Sequence, residues 1–247
     1  MSEISKYFEK QVIKFDSSQV NIWFTSDSHF EHERIIEYCK RPFKNKNEMT
    51  EALIKNWNEL VGPDDIVFHL GDFSWGGSAA WNDVLNRLNG HIHLVLGNHD
   101  MKNIRKGYID KFESVSFQKL IYIDNRGIYL NHYPFLCYGG SYREKDAYWQ
   151  LFGHVHSRQN ENVEGLSDEE AKEILGKDAF RMKYLMPTQY DVGVDNNDYK
   201  PVSWQQVKAI IEKQVADEEA RLKENEPKGF FECVKYYLIE KYGWKKS

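Results

Sequence analysis

The sequence predicts an α/β fold built from two sheets packed on each other, and three observations lead there. Apolar strand-like runs alternate with amphipathic helical stretches through the first half, the pattern of right-handed strand–helix–strand crossovers and a mostly parallel sheet. Beyond about Ser116 the strands become short and follow one another through turn residues, with few long helices between them, which implies a second sheet. The chain has 247 residues, 41% of them hydrophobic, enough to bury one full core.

The first strand is Asn21-Ile22-Trp23-Phe24-Thr25. A helix follows from about Glu31 through Ile35, Ile36 and Cys39 and stops before Pro42, because the residue preceding a proline is pushed out of the helical region. Asn47 to Leu60 places Met49, Leu53, Ile54, Trp57 and Leu60 on one helical face, and Gly62-Pro63-Asp64 breaks it. Asp65 to Leu70 is the second strand, Ser78 to Leu88 a helix around Trp81, Val84, Leu85 and Leu88, and His91 to Leu96 the third strand.

In the second half, Ser116 to Asp124, Gly127 to Asn131, Trp149 to Phe152 and Tyr190 to Val194 read as strands, with Asn125-Arg126-Gly127 as a hairpin turn. Arg158 to Pro187 interrupts them as an insertion. It carries a helix opened by the capping box Ser167-Asp168-Glu169-Glu170 and is open between a lid over or beside the site and a segment that only covers a side of the sandwich. Another capping box, Ser203-Trp204-Gln205-Gln206, opens a long helix that ends before Pro227. The aromatic stretch Phe230 to Trp244 is expected to pack back onto the core. The chain reads as a single domain over 1–247, with a core at about 20–200, the insertion at 158–187 and a helical segment at 203–247.

Composition narrows the function. The formal net charge of −5 argues against a surface that coats DNA or RNA, and no basic or aromatic platform stands out, so extended nucleic acid is not the expected partner. Cys39, Cys137 and Cys233 form no C-x-x-C pair and are expected as reduced thiols. Met1 to Lys10 lacks the apolar core of a signal peptide, and no apolar run approaches the ~20 residues of a membrane helix. A soluble, cytoplasmic protein without membrane contact is the expectation, its oligomeric state open.

Five short clusters carry the chemistry: Asp27-Ser28-His29, Gly71-Asp72, Gly97-Asn98-His99-Asp100, His132, and Gly153-His154-Val155-His156. Most end or follow a strand, where the loops of an α/β sheet converge. They offer carboxylates, imidazoles and one amide but no thiolate, a donor mixture suited to Mn, Fe, Co or Zn and to a two-metal hydrolytic centre.

In this order, D-x-H, G-D, G-N-H-D, a lone H and G-H-x-H resemble the signature of the calcineurin-like metallophosphoesterases. Thr25 to His32, Arg41-Pro42-Phe43 and Asp191-Val192-Gly193-Val194-Asp195 resemble the smaller bacterial and bacteriophage members. The resemblance implies a four-layer α/β/β/α sandwich with a dinuclear site at the strand ends. It implies that Asp27, His29 and His156 hold one metal, that Asn98, His132 and His154 hold the other, and that Asp72 bridges them. It places His99 on the leaving-group side as a proton donor, with a metal-bridging hydroxide as the nucleophile. Asp100 is open between a part in the site and a role in fixing its loop. His32 is open between a supporting role and a surface histidine; His69, His91 and His93 are assigned to structure, and Gly139-Gly140 to a turn.

The sequence also departs from the phosphoprotein phosphatase branch, whose second motif continues G-D-x-x-D-R-G. Here Trp75 stands in place of the acid that pairs with the catalytic histidine, and Gly76 in place of a phosphate-binding arginine. The partner of His99 is thus unidentified, and Arg34, Arg143 and Lys145 are the candidate substrate contacts. The expected function is a phosphodiesterase dependent on two divalent metal ions (Mn, Fe or Zn) and acting on a small phosphoester, such as a nucleotide derivative. The alternatives are a phosphomonoesterase, a metal-dependent nuclease and a non-catalytic scaffold.

Overall fold

The computed structural model describes residues 13–101, 109–141, 147–157, 167–175 and 185–224. Two five-stranded sheets form its frame. In the first, β2 (Ile22–Thr25), β3 (Ile66–His69), β4 (His91–Val95) and β5 (Ser114–Ser116) run parallel in that order, and β10 (Val202–Ser203) adds antiparallel at the β2 edge. The second has the order β1 (Ile13–Phe15), β6 (Gln118–Ile123), β7 (Arg126–Asn131), β8 (Trp149–Phe152) and β9 (Gln189–Asp191). Only its β6–β7 pair is antiparallel.

Helices α1 (Glu33–Tyr38) and α2 (Lys46–Asn58) connect β2 to β3, and α3 (Ser78–Arg87) connects β3 to β4. Asn45 starts α2 by accepting the Glu48 N–H on its side chain, which satisfies a donor the first turn leaves free. Met49, Leu53, Ile54 and Trp57 of α2 and Trp81 and Val84 of α3 bury against Val67, Ile92 and Leu94 of the first sheet. The other face of that sheet, with Ile22, Phe24, Phe68, Leu70 and Val95, meets Ile121, Ile123, Ile128, Leu130, Trp149 and Leu151 of the second. Helix α5 (Trp204–Glu224) sends Trp204, Val207 and Ile211 into this inter-sheet core. Residues that follow β7 bond to the second sheet and its flank: Gln150 is bonded to Tyr133 and Phe135, and Tyr138 to Thr188.

Several elements depart from the sequence reading. Ser116 to Asp124 is not one strand. Ser114–Ser116 pairs with β4, Gln118–Ile123 pairs with β1 and β7, and the chain changes sheets at Phe117, whose side chain is 67% exposed. The hairpin turn lies one residue earlier than expected, at Asp124 (φ 49°) and Asn125 (φ 67°), the paired left-handed conformation of a two-residue hairpin. Tyr190 to Val194 is strand only to Asp191; its carboxylate accepts the Gly193 N–H, and a 3₁₀ turn follows at Val194–Asn196. Leu60, placed on the α2 face by spacing, lies past the helix end and is exposed.

Both capping boxes form: Ser167 Oγ accepts the Glu170 N–H and Ser203 Oγ the Gln206 N–H, opening α4 (Asp168–Leu175) and α5. Most of the 158–187 insertion, the 230–244 stretch, Cys233, Arg143 and Lys145 lie outside the described residues. No helix among the described residues is long and apolar enough to cross a membrane.

Candidate metal centre

Parallel strands end at one edge of a sheet, and the loops leaving β2, β3, β4, β7 and β8 carry the five clusters there. The β2 and β3 loops continue as partners: Asp27 N–H donates to Gly71 O, His29 N–H to Asp72 O and Phe30 N–H to Phe73 O. Asp27, His29, Asp72, His154 and His156 all have positive φ, between 47° and 71°. For residues with a Cβ each such conformation costs about 1–3 kcal/mol and persists only where the surroundings enforce it.

The surroundings do so. Asp100 is buried, and its carboxylate accepts the N–H groups of Asp72, Phe73 and Gly97, fixing two loops. Asp72 Oδ1 accepts the His99 N–H, and Asp27 Oδ2 the His154 N–H. Two glycines allow the approach. Gly71 has φ +98°, and a Cβ there would run into the Gly97 backbone and the His132 ring; a Cβ at Gly153 would collide with Ser26 and Asp27.

The side chains gather as two sets. Asp27, His29 and His156 each offer a donor atom within 4.8 Å of the others, and so do Asp72, His132 and His154. Asp72 Oδ2 lies 3.5 Å from both His29 Nε2 and His132 Nε2, so it faces both sets. Asn98 Oδ1 is 3.1 Å from His132 Nε2, beside the second set. The seven residues proposed from sequence are thus brought together. A third set, Cys39, His156 and Asp195, meets the same distance criterion, but its Asp195 carboxylate is already taken by His156 and Arg41.

These residues fit divalent cations. Asp27 Oδ1 and His29 Nε2 are buried without a hydrogen-bond partner among the described residues, each an expense of about 1–3 kcal/mol that a cation would remove. The protonation equilibria point the same way. Burial pushes the His132 imidazole down, yet the carboxylates of Asp72 and Asp27 carry it up to about 9. His156 is likewise drawn well above the usual range by Asp27 and Asp195 against its burial. In both, a proton stabilises negative charge that a metal would otherwise neutralise. His29, by contrast, is held neutral by burial and by the nearby His156 and Arg41.

Residues behind the donors set their orientation. His132 donates Nδ1–H to Leu70 O at 2.8 Å, and His156 donates Nδ1–H to Asp195 Oδ2 at 2.7 Å, so both turn Nε2 toward the centre. Asp195 is paired with Arg41, which also donates to the carbonyls of Asp27 and Ser28. Ser28 Oγ lies 2.9 Å from His69 Nε2, placing His69 behind the first loop. His91 pairs with Glu113 and His93 with Ser114, both along β4 and β5 as structural histidines.

The pattern that defines the calcineurin-like phosphoesterases matches residues 20–192. The chain belongs to the calcineurin-like phosphoesterase family. It is 32% identical over 198 residues to an uncharacterized protein of Methanocaldococcus jannaschii, covering 79% of this chain and 94% of that one. It is 30% identical to the Gene 66 protein of Mycobacterium phage L5 over 165 residues, 56% of this chain and 78% of that one. The crystal structure of a protein of unknown function from Aquifex aeolicus superposes with a TM-score of 0.56 at 27% identity, over 77% of this chain and 99% of the other.

For a calcineurin-like phosphoesterase, the metal-dependent hydrolysis of phosphoesters is the family chemistry, and the donor sets above are candidate sites for the metal. His99 is partly exposed beside the donors, its Nε2 3.8 Å from Asp72 Oδ2. Its ring meets Trp75 at 4.9 Å between centroids and 61° between planes, and His29 at 5.4 Å and 63°. His32 is not a surface histidine: it is buried, its Nδ1 lies 3.2 Å from His29 Nδ1, and it stacks on Trp75. Arg34 is exposed on α1 and makes no hydrogen bond to any of the donors.

Sequence reasoning missed the roles of Arg41 and Asp195, although both stand in stretches that resemble family members. It also missed Trp75 as an exposed ring, since nothing in a lone tryptophan says which way it faces.

Proposed function

We propose that this phosphoesterase hydrolyses a small phosphodiester, such as a nucleotide derivative, with two divalent ions and without a covalent enzyme intermediate. The observation that carries the proposal is Asp72, whose one carboxylate oxygen faces both donor sets at 3.5 Å. When bound, the ions supply Lewis acidity and an acidified water as nucleophile. The chain's own residues do the rest. Asp27, His29 and His156 would hold one ion and Asn98, His132 and His154 the other, with Asp72 between them. His99, at the open side of the centre, holds a proton for the leaving oxygen.

A serine nucleophile is disfavoured because Ser26 and Ser28, beside the donors, are buried to 0% and 1% and closed off from a substrate. A diester is favoured over a monoester because a dianionic phosphate calls for an additional cation. The guanidinium of Arg41 is committed to Asp195 and two backbone carbonyls. Gly76, where the monoester branch has arginine, has no room for a side chain, since a Cβ would collide with Ala80.

The test is turnover of bis(p-nitrophenyl) phosphate and p-nitrophenyl phosphate by Mn-loaded and metal-stripped protein. The expected result is metal-dependent activity with kcat/KM higher for the diester. A higher value for the monoester would overturn the diester preference. No turnover of either with Mn, Fe or Zn would overturn catalysis and leave the scaffold reading.

A further inference from the structure

Trp75 stands at the open side of the centre with 52% of its surface exposed, whereas Trp57 and Trp81 are buried to 2% and 1%. An indole is among the largest apolar surfaces a chain can bury, and Trp75 leaves half of its own to solvent. Yet Trp75 is not loose. Its backbone N–H donates to Phe30 O at 2.9 Å, and Ser74 beside it forms a bridge with Phe30. Its ring lies flat on His32, with centroids 4.2 Å apart and planes within 8°. His32 in turn rests against His29, a proposed metal ligand. The indole therefore rests on His32, which is itself held against the donor His29, and its ring meets that of His99 at 4.9 Å and 61°.

Tyr133, 43% exposed, packs edge-on against His154 and His132 at 4.7 and 4.9 Å. The two half-exposed rings thus adjoin different donor sets, and Trp75 is the one beside the proposed proton donor.

We infer that Trp75 is a stacking platform for a nucleobase, so that the leaving-group side of the substrate carries a base seated on the indole beside His99. This rests on the phosphoesterase reading above and narrows its substrate to nucleotides. A planar, uncharged heterocycle joined to a phosphoester through a sugar matches a fixed flat ring next to a phosphate-binding centre. Stacking on an aromatic side chain tolerates any base, so the platform selects a nucleotide over a sugar phosphate without selecting which base.

The test uses binding, which does not depend on turnover. AMP and ribose 5-phosphate are titrated calorimetrically into Mn-loaded protein, into Trp75→Ala and into Trp75→Phe, with metal content measured in each. The parent is expected to bind AMP about 5- to 150-fold more tightly than ribose 5-phosphate. Trp75→Ala should erase that ratio while ribose 5-phosphate affinity and metal content stay at parental values, and Trp75→Phe should retain most of it. Equal affinities in the parent, or an alanine variant that weakens both ligands alike, would overturn the platform.

Hydrolysis of bis(p-nitrophenyl) phosphate, run in parallel, separates the two readings. Turnover with no AMP preference sinks the platform alone. An AMP preference that depends on Trp75, without turnover of any phosphoester, keeps the base site and sinks the hydrolase.

Discussion

Arg41 and Asp195, 154 residues apart in sequence, form a fully buried two-pronged ion pair, Nε to Oδ1 at 2.9 Å and Nη2 to Oδ2 at 2.7 Å. The pair ties together two halves of one donor set. Arg41 grips the carbonyls of Asp27 and Ser28, while Asp195 fixes the ring of His156 through Nδ1. Burial alone would raise the Asp195 carboxyl, but Arg41 and His156 hold it well below the usual carboxylate range.

Asp195→Ala is expected to strand the Arg41 charge in the interior and lower unfolding free energy by about 3–5 kcal/mol, read from urea melts of the metal-free protein. The milder Asp195→Asn should weaken metal binding at the His156 set by about 10- to 100-fold, measured by competition with a chromogenic chelator. A normal affinity in Asp195→Asn would show that the contact does not orient the ligand.

A second expectation concerns pH. Burial, aided by His132, pushes the His69 imidazole down to about 3, and burial with Lys119 pushes His93 down to about 4, from an ordinary 6.5. The unfolded chain takes up these protons near pH 6.5, whereas the folded chain does so only near 3 to 4. Folding stability therefore falls as pH drops through that window and is fully present above 6.5. The urea midpoint of the metal-free protein should decrease between pH 7 and pH 5. His93→Gln, which cannot titrate, should show a shallower decrease; an unchanged slope would mean His93 is not a contributor.

The same residues show what sequence could and could not reveal. The five clusters were legible because Asp, Asn and His near strand ends, three of them directly after glycine, make a local pattern, and the parallel strands had only to bring those ends to one edge; the choice of seven donors among them rests on the family resemblance. Arg41 and Asp195 were not, because a buried ion pair is a relation between distant positions and neither residue looks unlike a surface charge. The change of sheets at Phe117 was hidden for a different reason: Ser114 to Ile123 has no glycine or proline to mark the break. The short edge strands β1 and β10 lacked the length for a periodic signal.

Asp72 makes a sharper test of the centre. Its Oδ2 faces His29 and His132 while Oδ1 accepts the His99 N–H, so one carboxylate serves both donor sets and the His99 loop. Asp72→Asn removes the charge and keeps the shape. Elemental analysis of the purified variant should show metal lost from both sets and activity lost with it. Retention of two metals per chain would exclude Asp72 as the bridge.

His99 is the residue whose loss should separate chemistry from metal binding. It contributes no atom to either donor set; its ring meets those of Trp75 at 4.9 Å and His29 at 5.4 Å, and its Nε2 lies 3.8 Å from the Asp72 carboxylate. His99→Ala should therefore leave metal content and the urea midpoint near parental values. If His99 delivers a proton to the leaving oxygen, kcat should fall by roughly 10²- to 10⁴-fold on a diester with an alkoxide leaving group. A nitrophenolate leaves without protonation, so the deficit should shrink as the leaving group becomes more acidic. A series of aryl and alkyl phosphodiesters reads this as a steeper dependence of rate on leaving-group pKa in the variant than in the parent. An equal deficit across the series would make His99 a group that positions the substrate or stabilises charge, and the proton would then come from solvent.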